Sequence, residues 1–195
     1  GGSSGSLLNH APDLLFHAFK EPMMNDPHPS PAFASPALLQ GRFEGRSAFA
    51  DLVRQAFAAA AAQGWREIIL CDATFEDWPL GERSVAQSLN DWSTSGRTLT
   101  MLAQNYDEVT RRHARFVTWR RTWSHIVECR GSGAVAASDL PSAFWSPGWV
   151  FERLDLVRST GVAGSEAARR VALRERLTEK LLRSSPAFPA TTLGI

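Results

Sequence analysis

Residues 65–103 read WREIILCDATFEDWPLGERSVAQSLNDWSTSGRTLTMLA, and their pattern decides the fold. Ile68, Ile69 and Leu70 are consecutive and apolar, which predicts a strand over 65–71 that is covered on both faces. An acidic loop follows over 72–81. Residues 82–95 place Val85, Leu89 and Trp92 on one helical face, and Gly96 stops that helix. Residues 97–103 then predict a second strand. Strand, helix and strand joined by short connections make a parallel pair.

The same alternation continues on both sides. Upstream, residues 39–44 predict a short strand. Ser47 is the expected N-cap of a helix over 48–63, where Phe49, Leu52, Val53, Ala56, Phe57 and Ala60 form one apolar face. Gly64 is its expected C-cap. Downstream, Asp107 is the expected cap of a single long helix over 108–123. Its stripe is Val109, Phe116, Trp119 and Trp123, and Arg111, Arg112, Arg115, Arg120 and Arg121 cover the rest. A third strand is predicted over 125–130. A hairpin over 143–153 turns at Ser146-Pro147-Gly148 and is expected to add antiparallel edge strands. A final helix covers 166–183. The fold class is α/β, a single domain with a mixed, mostly parallel sheet flanked by helices. Residues 1–6, GGSSGS, read as an expression linker. Residues 7–40 are a Pro-rich N-terminal tail with a short apolar anchor over 14–19, residues 41–183 the α/β domain, and residues 184–195 a C-terminal tail.

The 195 residues suit one domain, and 44% hydrophobic with 21% charged residues is ordinary for a soluble globular protein. A net charge of +1 supplies no global field toward nucleic acid or membrane. Only Lys20 and Lys180 of the 21 basic residues are lysines, a bias that points to a GC-rich bacterial source. Cys71 and Cys129 sit in or beside apolar runs, where cysteine acts as a small hydrophobe rather than a disulfide or zinc ligand. No apolar run approaches the ~18 residues of a membrane span. The expected location is the cytoplasm.

Candidate site residues fall in two places. Asp72 directly follows the strand ending at Cys71, with Glu76 and Asp77 behind it. In open α/β sheets ligands bind beyond the carboxyl ends of strands, and carboxylates there hold metals or act as bases. Alternatively Asp72 caps the turn. On the arginine-rich helix, Arg111, Arg112, His113 and Arg115 could contact an anion, and the arginines over 111–121 a nucleic acid. The competing reading is an amphipathic helix with a solvated basic face and a capping histidine. The ligand-binding candidates are therefore Asp72, Asp77, Arg111, Arg112, His113 and Arg115. No catalytic residue, metal or cofactor is assigned, and GxGxxG, GxxxxGK[ST], HExxH and GxSxG are all absent.

The layout over 41–153 resembles half of a phospholipase D-like domain, and more specifically an uncharacterised bacterial group of that kind. The features carrying the resemblance are the helix with Phe49, Leu52, Val53 and Ala56, the strand EIILCD, the strand RTLTMLAQ, the long helix with His113 and Arg115, then HIVECR and a hairpin. Active members of that superfamily carry H-x-K followed by an Asp, with the His as nucleophile and the Lys on the phosphate. Here the hairpin reads SAFWSPGWVFER, without His or Lys. His113-Ala114-Arg115 matches in letters only, and Arg120 stands where the Asp is needed. The resemblance implies an inactive relative, or one with altered chemistry. The expected function is a non-catalytic binding or interaction module that recognises a protein partner, an anionic ligand or a second copy as a homodimer, with Phe188, Leu193 and Ile195 packing on a neighbouring subunit. One alternative is an enzyme using Asp72 or Asp77 with His113 on a phosphorylated small molecule or phosphodiester. A second, weaker alternative is nucleic-acid binding through the arginine helix.

Overall fold

The structure, a computed structural model, describes residues 37–190. The linker, the anchor over 14–19, and Leu193 and Ile195 lie outside the described residues. The strands are β1 (Gly41–Glu44), β2 (Glu67–Cys71), β3 (Thr98–Ala103), β4 (Val127–Gly131), β5 (Ser142–Trp145), β6 (Val150–Asp155), β7 (Thr160–Gly164) and β8 (Ser185–Pro186). The helices are α1 (Arg46–Gln63), α2 (Arg83–Trp92), α3 (Asp107–Arg112), α4 (Ala114–Thr122) and α5 (Ala167–Leu182). The fold is the expected α/β class with one mixed sheet, ordered β1-β7-β6-β5-β2-β3-β4-β8. The sheet is mixed as expected but not mostly parallel: only β2–β3 and β3–β4 pair in parallel, and the other five pairings are antiparallel.

The consecutive apolar residues of β2 serve two cores, as their spacing predicts. Ile68 and Leu70 join a large core with α1, α2, α3 and α4. Ile69 and Cys71 join a smaller core with Leu173 and Leu177 of α5. The large core is aromatic beneath β6. Phe151 meets Phe43, Phe49, Trp78, Phe144 and Trp149, with ring centroids 5.4–6.2 Å apart. Offset and edge-on pairs of this kind add ~0.5–1.5 kcal/mol each beyond area burial.

Four further expectations are corrected. First, the hairpin β5–β6 lies inside the sheet, because β5 pairs with β2 on one side and β6 on the other. All four residues of β5 are buried, so its apolar SAFW is an interior strand. The true edge is β1, where only Phe43 is buried. Second, β7 was unforeseen, since TGVAG has the composition of a loop. Gly161 is needed there by close approach: a Cβ would lie 2.6 Å from Phe43 Cζ and clash with the Glu152 carbonyl. Third, Ser47 is not the N-cap of α1. Gly45 is, and its amide is bound by the Ser159 carbonyl at 3.1 Å, so the β1–β7 contact sets the helix start. Gly64 ends α1 in the left-handed conformation, as expected.

Fourth, the helix over 108–123 is two helices that break at His113 (φ −121°, ψ 56°), and Asp107 makes no capping bond. Gly81 packs on the break so closely that a Cβ would come within 2.7 Å of the Arg112 carbonyl. The C-terminal segment also packs on its own chain. β8 pairs with β4, and Phe188 stacks on Tyr106 at 4.9 Å rather than waiting for a neighbour.

Gly161→Val tests the β7 packing. It should cost at least ~3 kcal/mol through overpacking, read as a lowered Tm, whereas Gly133→Ala, strained only by its positive φ on an open turn, should cost about 1–2 kcal/mol.

Candidate functional site

Strand β2 delivers Asp72 to the carboxyl end of the sheet, and the protein spends that carboxylate internally. Asp72 Oδ2 accepts the amides of Thr74 (3.2 Å) and Phe75 (2.8 Å), the turn-capping role. Asp72 Oδ1 accepts from Arg153 Nη2 at 3.1 Å. Arg153 projects from β6 onto the same face as Phe151, two residues earlier, and so enters the large core. Its Nη1 reaches Asp77 Oδ2 at 3.0 Å and Ser159 Oγ at 3.4 Å, and its Nε reaches Ser142 Oγ at 3.2 Å. The Phe49 ring lies 4.3 Å beneath the guanidinium. The Arg153 side chain is 2% exposed and that of Asp72 6%. This is a closed, hydrogen-bonded ion network that seals the end of the aromatic core.

His113 braces the same loop from the other side. Its Nε2 lies 2.8 Å from the Phe75 carbonyl, and the residue is buried. Phe75 is thus held through its amide by Asp72 and through its carbonyl by His113, and it adopts φ 60°, an uncommon conformation for a bulky residue. Burial holds the His113 imidazole below its ordinary value near 6.5, with the Arg112 cation acting the same way. Asp72 and His113 are therefore brought to one loop, but Phe75 stands between them.

The remaining candidates do not join this network. Arg111 and Arg112 are exposed and both pair with Glu108, at 2.9 and 2.6 Å. Arg115 Nη1 donates to the Gly81 carbonyl at 2.8 Å. Glu76 and Asp107 are exposed. His125 lies outside β4 and stacks on Trp123. Cys71 and Cys129 are free and buried, and burial raises both thiols, Cys129 to about 11, so neither is a thiolate at neutral pH. Among the described residues no cluster of three His, Cys, Asp or Glu could hold a metal, and no helix is long and apolar enough to cross a membrane.

Sequence reading missed two buried arginines, although each left a signal. Arg153 alternates with Phe151 on a strand, and Arg120 follows Phe116 by one helical turn on the apolar stripe. A cation at a core position demands a partner, and Asp72 was already marked.

Two open grooves lie on the other side of the sheet, along α5, and another of about 440 Å³ lies between α2 and α4 on the near side. A largely apolar groove of about 450 Å³ runs beside Trp145 and is walled by Val171, Arg174, Thr178 and Leu182. A second groove, of about 410 Å³ and more polar, lies on the β6–β7 side with Glu152, Glu166, Arg169 and Arg176.

No family model and no curated protein matches the chain. Among solved structures it resembles TrmBL2, an archaeal chromatin protein described as showing a novel mode of DNA binding. The TM-score is 0.57 at 13% identity, covering 80% of this chain. The match spans 58% of the TrmBL2 chain, and at this identity the likeness concerns the fold alone.

Two measurements test the network. Arg153→Met leaves buried carboxylates unpaired and should cost about 3–5 kcal/mol by denaturant unfolding, with Asp72→Asn adding less in the double variant than alone. The folded-state value of His113 lies below that of the unfolded chain. The unfolded state therefore binds the extra proton, and stability falls as pH drops below ~6.5. His113→Asn should flatten that part of the stability profile.

Proposed function

We propose that this chain is a non-catalytic α/β interaction module that associates with a second copy of itself through α5. The observation that carries the proposal is the outward face of this helix. Only Leu173 and Leu177 of α5 are buried, while Val171 is 56% and Leu182 81% exposed beside the apolar groove. Val171, Glu175, Thr178 and Leu182 recur at helical spacing on one stripe. Two such helices packed antiparallel about a two-fold axis would set Val171 against Leu182 of the partner subunit. Arg174 and Glu179 flank this stripe on its two sides, with Arg174 held by Glu67 at 2.7 Å, so the contact proposed is apolar at its centre.

The interior polar groups support the non-catalytic half of the reading. Asp72, Asp77 and His113 are all engaged by backbone or by Arg153, so none is free in a cleft to move a substrate proton. An inactive relation to phospholipase D-like domains is in keeping with this. Nucleic-acid binding remains as a second reading, because the structural neighbour binds DNA and α4 exposes Arg115 and Arg121. Glu108 neutralises much of the adjacent helix α3, which ranks this reading below self-association.

Light scattering at high micromolar concentration should give a dimer mass for the wild type and a monomer mass for Leu182→Glu, with Tm little changed. A wild-type monomer would remove the proposal. Salt-dependent binding to a short duplex, lost on Arg115→Ala/Arg121→Ala, would instead favour the nucleic-acid reading.

A further inference from the structure

Among the described residues Arg120 is a buried cation without a counterion. It sits on α4 and is 7% exposed. Its Nη1 donates to the Val127 carbonyl at 3.2 Å and its Nη2 to the Phe188 carbonyl at 3.3 Å. Its Nε has no partner. Among the described residues no carboxylate pairs with it. The contrast within the same chain is sharp: buried Arg153 receives two carboxylates and two hydroxyls, whereas buried Arg120 receives two neutral carbonyls. A desolvated guanidinium is heavily penalised unless a negative charge compensates it.

Arg120 lines a recess of about 180 Å³ that also holds Thr110, Val117, Arg121, Phe188 and Pro189. Arg121 is a second cation at its wall, and among the described residues it too forms no ion pair. Thr110 adds a hydroxyl. Phe188 is fixed as a wall by its parallel stack on Tyr106, whose hydroxyl donates to the Arg130 carbonyl at 2.8 Å. Arg120, Arg121 and Thr110 thus line a recess whose other walls are apolar, in a volume that admits a single small polyatomic ion. Guanidinium forks match tetrahedral and planar oxyanions, and a doubly charged oxyanion would answer both cations.

We propose that this recess binds a phosphate group, with Arg120 as the buried counter-charge and Arg121 and Thr110 closing the outer side. The group could arrive as free phosphate or as the terminus of a small phosphate monoester. The site is separate from the α5 face, so it stands or falls independently of self-association.

Thermal shift with inorganic phosphate, against chloride at matched ionic strength, tests this, with glycerol phosphate as a second probe. Phosphate or its monoester should raise Tm by several degrees at saturation, because a ligand of the folded state alone stabilises it. Arg121→Ala and Thr110→Val change exposed residues and should fold normally. Arg121→Ala should weaken the apparent affinity roughly ten-fold or more. Arg120→Met should fold, since an apolar isostere removes an unpaired buried charge, and should lose the response. A response to inorganic phosphate that the variants lose supports a closed site, and one confined to the monoester supports the terminus of a larger ligand. No response beyond chloride with either probe, or a response unchanged in Arg120→Met and Arg121→Ala, overturns the proposal.

Discussion

The Arg153–Asp72 ion pair ties β6 to the end of β2 across 81 residues of sequence. The two strands are not neighbours, because β5 lies between them. The pair therefore spans the hairpin strand and locks the antiparallel half of the sheet to the parallel half at one end. It also shapes the loop beyond β2, since the same carboxylate caps the turn that forces Phe75 into the left-handed region. Removing one partner would strand a buried charge at the rim of the aromatic core, where water cannot replace the lost contact. The loop and the rim of the core both depend on this interaction.

The position of the network also accounts for the closure of the sheet's carboxyl end beside β2. In α/β folds that edge is the usual place for ligands. In this chain the end of β2 is filled by Trp78, Phe75 and the Arg153 side chain, with Asp72 and Asp77 turned to Arg153 while Glu76 and Asp107 face solvent. Two of the accessible grooves lie on the opposite face, beside α5. That face is covered by α5, with two buried leucines, and by Val135 and Leu140 of the segment before β5, while the other face is covered by α1 to α4. Such unequal cover leaves grooves on both sides of α5 and an apolar stripe along its outer surface.

Two buried arginines meet their desolvation cost differently. Arg153 is compensated within the fold. Arg120 is held by main-chain carbonyls beside a small recess, and among the described residues no carboxylate balances its charge. A buried unpaired charge marks a position where the folded chain is electrostatically incomplete.

How much of this was legible beforehand follows from the range of each interaction. The strand at β2, the helices α1, α2 and α5 and the turn at Ser146-Pro147-Gly148 are local matters of spacing, caps and breakers, and the chain alone determined them. It also determined the α/β class, because apolar runs and amphipathic stretches alternate. Only the tertiary structure decided that the hairpin is central, that TGVAG is a strand, that the arginine helix breaks at His113, and that Asp72 meets Arg153. Those outcomes depend on partners distant in sequence. A glycine-rich strand forms because Phe43 needs its flat surface, and the helix breaks because Gly81 and Phe75 press on it. Periodicity reports which face of an element is buried. It does not report against what, and the chemistry of a site is set by what lies opposite.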